Sequence, residues 1–236
     1  NKFNIFLSNK VADNQYISKI KCGEVLHKKG GSVYNFTVSS DIANNTLHNK
    51  IDWYARKDSE GYSSVKSYSY FNATENAGLP KVLTDFLPSE IYLTDTIWYI
   101  DPCTATIDSS LVHINKFKLY NKKQSLEIDG KISKDSTDLL YVDLKNIDLE
   151  YFQKSISNYN SLKGIANCSV NISKIYDQPV FLANATIEGL EYKNQVVGDV
   201  VFTSSWDRID SEIESELIIM DNTSKRLAAS GSFNPK

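Results

Sequence analysis

The densest set of chemically competent side chains in this sequence is a run of acids: Asp207, Asp210, Glu212, Glu214 and Glu216. Paired carboxylates split glycosides when they face each other across a cleft, one as acid and the other as base or nucleophile. Here Glu212, Glu214 and Glu216 alternate with Ile213, Ser215 and Leu217. Successive side chains of a strand point to opposite faces, so that spacing predicts a solvated face rather than a catalytic pair. His27, His48 and His113 lack metal-ligand spacing. Cys22, Cys103 and Cys168 are far apart, odd in number and without a C-x-x-C, which favours neither a metal site nor a disulfide framework. A Cys22–Cys103 bridge is compatible with an oxidising compartment. No serine sits in G-x-S-x-G and no glycine loop precedes a helix, which removes nucleophilic and nucleotide chemistry. We expect no enzyme, no metal and no cofactor.

Aromatic residues offer a second kind of chemistry. Trp53, Tyr62, Tyr68 and Tyr70, extended by Tyr92, Trp98 and Trp206, would suit stacking on sugar rings. The plainer reading is that aromatic residues favour strands and cover sheet faces. Seven Asn-x-Ser/Thr sites begin at Asn35, Asn44, Asn72, Asn167, Asn171, Asn184 and Asn222. In a chain this rich in Asn, Ser and Thr we read them as chance.

The elements that would position such residues are strands. Leu126, Ile128, Gly130 and Ile132 alternate with polar residues, as do Leu140, Val142 and Leu144, and Leu162 through Ile172. The pattern returns over 181–188, 196–204, 209–220 and 227–233, with turn residues about every ten positions, as all-β folds require. Earlier strands are expected over 33–39, 46–56, 62–71 and 111–120, with two short ones in 90–100. Residues 82–87 suit a short strand or a helical turn, limited by Pro88. One helix is expected from Leu149 to about Ser157, with Asp148 as its N-cap and Leu149, Phe152 and Ile156 on one stripe. Gly130, Gly164, Gly198 and Gly231 fall inside strand patterns, where glycine permits bulges and curvature.

The 236 residues suit one large all-β domain, with a soft boundary near 77–88. With 26 basic and 29 acidic residues, a net charge of −3 and no basic tract, nucleic acid is not an expected partner. No apolar run approaches the roughly 18 residues of a membrane span, and the chain opens inside a strand-like stretch, Phe3, Ile5 and Leu7. We expect a fragment of a longer protein. Strands with one apolar face must cover it: a second sheet makes a sandwich, and a curled sheet makes a barrel or trough.

The order Trp98-x-Ile100-x-Pro102, Gln124-Ser-Leu-Glu-Ile-Asp-Gly130, Asn146-x-Asp148-Leu149, Gly164, Gly198-Asp199, Trp206-Asp207 and Gly231 resembles the C-terminal region of TamB proteins, AsmA-like members of the bridge-like lipid transfer group. The segment VVGDVVFTSSWDRIDSEIESELII resembles it most, and the likeness covers 88–235 and extends to 1–76. The resemblance implies a long antiparallel or mixed sheet curled into a trough, a β-taco, with an apolar interior and one short helix near 149–157. It implies a periplasmic location in a diderm bacterium, as part of a protein anchored in the inner membrane. Phospholipid acyl chains would be the cargo on the way to the outer membrane. Regions outside this chain would engage an Omp85-type outer-membrane barrel.

Pattern alone fits an ordinary sandwich core. The resemblance instead assigns a lipid-lining wall to Leu126, Ile128, Ile132, Leu140, Val142, Leu144, Val170, Ile172, Ile187, Val200, Phe202, Ile213, Leu217 and Ile219. A reading from another class, a β-sandwich glycan-binding or adhesion module, would use the aromatic face instead.

Overall fold

The computed structural model describes residues 3–10, 15–26, 32–72, 80–93, 95–156, 161–176, 180–207, 212–221 and 224–234. His27, Ser157, Pro179, Asp210 and Asn222 lie outside the described residues. The chain is all-β with one short helix, and every described strand pairing is antiparallel. It packs as two compact units, Asn1–Asn121 and Lys122–Lys236. The division falls between Asn121 and Lys122.

The first unit is a meander. β1 (Phe3–Lys10), β2 (Gln15–Leu26), β3 (Ser32–Ala43), β4 (Thr46–Tyr54) and β5 (Tyr62–Asn72) pair in sequence order. The next two passes are each broken in the middle. β6 (Lys81–Phe86) and β7 (Ser89–Leu93) both pair with β5 and are separated by Leu87-Pro88. β8 (Thr96–Ile100) and β9 (Cys103–Ile107) pair with β7 and β6, and are separated by Asp101-Pro102. β10 (Leu111–Tyr120) spans both. The breaks lie side by side, because Phe86 faces Cys103 and Ser89 faces Ile100. A proline has no N–H for the ladder, so two prolines at one level crease the sheet across its strands. Ser89, only 5% exposed, patches the gap. Its Oγ accepts from the Lys66 N–H at 3.1 Å and donates to the Leu87 carbonyl at 2.8 Å.

Two strands escaped sequence reading. β2 mixes Tyr16, Ile17, Ser18, Lys19 and Ile20 without clean alternation, and β9 (Cys-Thr-Ala-Thr-Ile) is short and small-sided. Residues 82–87, left open between strand and helical turn, fall in β6 and its end.

The second unit is an uninterrupted seven-strand meander: β11 (Ser125–Ser133), β12 (Leu139–Asp148), β13 (Leu162–Ser173), β14 (Val180–Tyr192), β15 (Gln195–Asp207), β16 (Glu212–Asp221) and β17 (Ser224–Phe233). α1 (Leu149–Ile156) joins β12 to β13. Asp148 caps it, its Oδ1 accepting from the N–H groups of Glu150 (3.0 Å) and Tyr151 (3.2 Å). Phe152, placed on the helix's apolar stripe by its spacing, is 56% exposed. Glycines bend this unit. Gly130, Gly164 and Gly198 have φ of 120°, 132° and 117°, conformations that other residues rarely adopt. Register shifts occur between Lys163 and Ile165 and beside Leu190, which faces Gly198. Gly231 has no such φ and open space where a Cβ would sit.

Candidate functional site

Directly opposed residues in an antiparallel pair share a face, so the register of the second unit fixes which side chains line one wall. Leu126 faces Leu144, Leu144 faces Cys168, Cys168 faces Ala185, Ala185 faces Phe202, Phe202 faces Leu217, and Leu217 faces Ala229. This row crosses all seven strands, and the Cys168 thiol is its only polar side chain. Beside it run Ile128, Val142, Val170 and Ala183. On its other flank run Ala166, Ile187, Val200, Ile219 and Leu227. Leu140 pairs with Ile172, and Ile172 with Phe181. Ile213 sits between Trp206 and Phe233. Ile132 follows two places beyond Gly130, which faces Leu140. All fourteen candidate lining residues therefore lie on one side of the sheet.

That side is only partly covered. Of the fourteen, only Leu140 (9%), Val200 (9%) and Ile213 (8%) are buried, and the other eleven keep intermediate exposure. A sandwich core would bury most of them. Ser204, Ser215 and Gly231 make the wall shallower toward β17, whose ten residues are all exposed.

The opposite side carries the charges. Glu214 faces Ser205 and Glu216 faces Thr203, both acids exposed. Asp207 and Glu212 stand side by side on neighbouring strands. These acids share one sheet face rather than facing each other across a cleft, the arrangement a glycosidase pair uses. Asp143 is buried on this side, opposite Glu127, and Lys145 Nζ lies 3.0 Å from its Oδ2. Hydrogen bonding to that carboxylate pushes the Lys145 ammonium pKa up. Burial, and then a hydrogen bond to Asp143, raise that of the Tyr141 phenol.

The first unit has a mixed apolar side. Ile5, Ile20, Val38, Ile51 and Val65 form an aliphatic row. The adjacent row runs Leu7, Ser18, Ser40, Asn49, Ser67, Phe86 and Cys103, so four polar side chains interrupt it. Ser40 Oγ donates to Asn49 Oδ1 at 2.8 Å.

The aromatic candidates do not assemble as grouped. Trp53 faces Ser63 and shares the side of Ile51, whereas Tyr62, Tyr68 and Tyr70 face Tyr54, His48 and Thr46 on the other side. Sequence reading missed Tyr34 and Tyr54, which continue the row from Tyr62. The Tyr54 and Tyr62 ring centroids are 5.4 Å apart. Sequence parity alone would put Tyr34 on the side of Val38; the register shift between Tyr34 and Thr37 turns it to the side of Tyr54.

The three cysteines are free thiols, so the Cys22–Cys103 bridge is not formed. Cys22 faces Phe36 on β3 and Cys103 faces Phe86 on β6, each embedded in a different part of the ladder. Burial pushes the thiol pKa of Cys103 and of Cys168 up, which keeps both protonated and slow to react. Among the described residues no group of His, Cys, Asp and Glu could hold a metal ion, and no helix is long and apolar enough to cross a membrane. Set against known proteins, the chain matches no family model, no curated protein and no solved structure.

Proposed function

We propose that this chain is a non-enzymatic, periplasmic segment of a TamB-like, inner-membrane-anchored protein, and that the apolar side of its second unit shelters lipid acyl chains in transit to the outer membrane. The observation that carries this reading is a wall of fourteen apolar residues on one side of six successive paired strands, eleven of them not fully buried. A contiguous apolar surface of this kind marks a site for something greasy. Each acyl CH₂ withdrawn from water there gains about 0.8 kcal/mol, so a curved wall needs no further chemistry to hold a chain. Movement along it is passive, because the chain exchanges one apolar contact for the next. The wall is one side of a trough in this proposal. Contact with an Omp85-type barrel belongs to regions outside the chain.

The test is a charge in the wall. Val142→Asp and Leu217→Glu each place a carboxylate where an acyl chain would lie, at a cost of several kcal/mol unless the group is neutralised. Mass spectra of the purified chain should show bound phospholipid that both variants lose, and cells carrying either change in the full protein should leak across the envelope. Intact envelopes at normal protein levels, with no lipid on the wild-type chain, would overturn the proposal. The row of Tyr34, Tyr54 and Tyr62 supports a second reading, glycan binding on the polar side of the first unit. A clear glycan-array signal lost in Tyr54→Ala, without bound lipid, would favour it.

A further inference from the structure

The polar side of the first unit holds a depression of about 320 Å³ across β2 to β5 that the lipid proposal leaves unused. One transverse row there runs Lys19, Ser39, Lys50, Lys66, each facing the next. Lys50 and Lys66 are directly opposed, an arrangement of like charges that disfavours the sheet. Lys50 is matched by Asp52, with Nζ 3.0 Å from Oδ2, and by the Tyr62 hydroxyl at 3.4 Å. Lys66 has no side-chain partner among the described residues and is exposed. Two residues along the strands, about 7 Å away, lies the second row: Ile17, Asp41, His48 and Tyr68. The Asp41 carboxylate takes a 2.7 Å hydrogen bond from Gln15 Nε2 on Oδ2, while Oδ1 is buried without a partner. His48 packs edge-on against Tyr68, with centroids 4.5 Å apart, and closes that end.

We infer that this depression binds a small phosphate ester that also carries an amino or hydroxyl donor, with the phosphate at Lys66 and Lys50 and the donor at the Asp41 carboxylate. A dianionic phosphate would turn the opposed lysines from a repulsion into a bridge, through charge-assisted hydrogen bonds. The spacing of the two rows suits a phosphate and an amine two carbons apart, as in phosphoethanolamine. Such a group occurs free, as a dianionic monoester, and in a lipid headgroup, where the phosphate is a diester with a single negative charge.

The full 236-residue chain should bind O-phosphoethanolamine saturably in calorimetric titration. Lys66→Gln, an exposed substitution, should weaken that binding about tenfold. Asp41→Asn should weaken O-phosphoethanolamine but leave inorganic phosphate unchanged, a contrast that loss of fold would not produce. Co-sedimentation with phosphatidylethanolamine-containing vesicles, absent with pure phosphatidylcholine and lost in Lys66→Gln, identifies the lipid-borne source. Binding of the soluble ester without vesicle binding identifies the free one. No saturable binding in either arm, or Lys66→Gln binding as tightly as wild type, overturns the inference. None of these readouts depends on lipid in the apolar wall, so its failure and that of the proposed function are separately visible.

Discussion

The two units use the same strand-by-strand meander but finish their apolar sides differently. In the second, the row from Leu126 to Ala229 crosses seven strands with a thiol as its only polar group. In the first, an aliphatic row lies beside Ser18, Ser40, Asn49 and Ser67. A hydroxyl or amide on such a face must be hydrogen-bonded or wet, and the Ser40–Asn49 bond shows one pair satisfying itself. The lesson is that alternation alone does not make a continuous apolar wall. What distinguishes the second unit is that successive strands keep their apolar positions in register. The units also bend differently, the first at two prolines placed side by side and the second at glycines with positive φ.

That comparison can be broken or sharpened by substitution. The largest effect is expected at Gly198. A Cβ there would overlap the Met220 carbonyl at a φ of 117°, so Gly198→Val should cost about 3 kcal/mol, read as a loss of denaturant midpoint. The proline crease of the first unit is held by a hydroxyl. Ser89→Ala leaves the part-buried Lys66 N–H without its partner and should cost about 1 kcal/mol, with faster amide exchange at Lys66. Removing the helix cap through Asp148→Ala should cost about 1 kcal/mol in thermal unfolding.

A pH-dependent difference follows from Asp52. Burial opposes its ionisation, yet hydrogen bonds from Tyr62 and Lys50 prevail and hold the carboxyl below its ordinary 3.8. A depressed folded pKa contributes stability above the unfolded value and loses it as pH falls through the folded one. Asp52→Asn should therefore be less stable than wild type at neutral pH, and the two should converge in acid, as followed by melting across a pH series. The smallest effect is expected at Gly231, where a Cβ meets open space: Gly231→Ala should stay within about 0.5 kcal/mol of wild type. If Gly231→Ala were as damaging as Gly198→Val, curvature would not be set by positive φ.

Much of the second unit was legible because a period of two is unambiguous once a face is apolar. Leu126 through Ile219 were grouped by parity, and paired strands then put them on one side. Asp148 announced the helix because a carboxylate can reach N–H groups only just ahead of it. β2 was not legible, since Ile17 and Ile20 point to opposite sides and neither face is cleanly apolar. β9 was not legible because Cys103 to Ile107 is specified by its neighbours β6 and β10 rather than by its own residues. The division after Asn121 leaves no mark in composition. The mixed apolar side of the first unit depends on register, which single strands do not disclose, and so does the Lys50–Lys66 opposition.

The meander has a consequence for how the second unit is made. Among the described residues, the pairings within this unit join each strand to the one before it and the one after it, so the sheet can grow in the order in which residues arrive. Loop-closure entropy is met one hairpin at a time, and no early segment waits for a distant one. A chain threaded lengthwise through a narrow pore could thus begin acquiring structure while its tail is still on the far side.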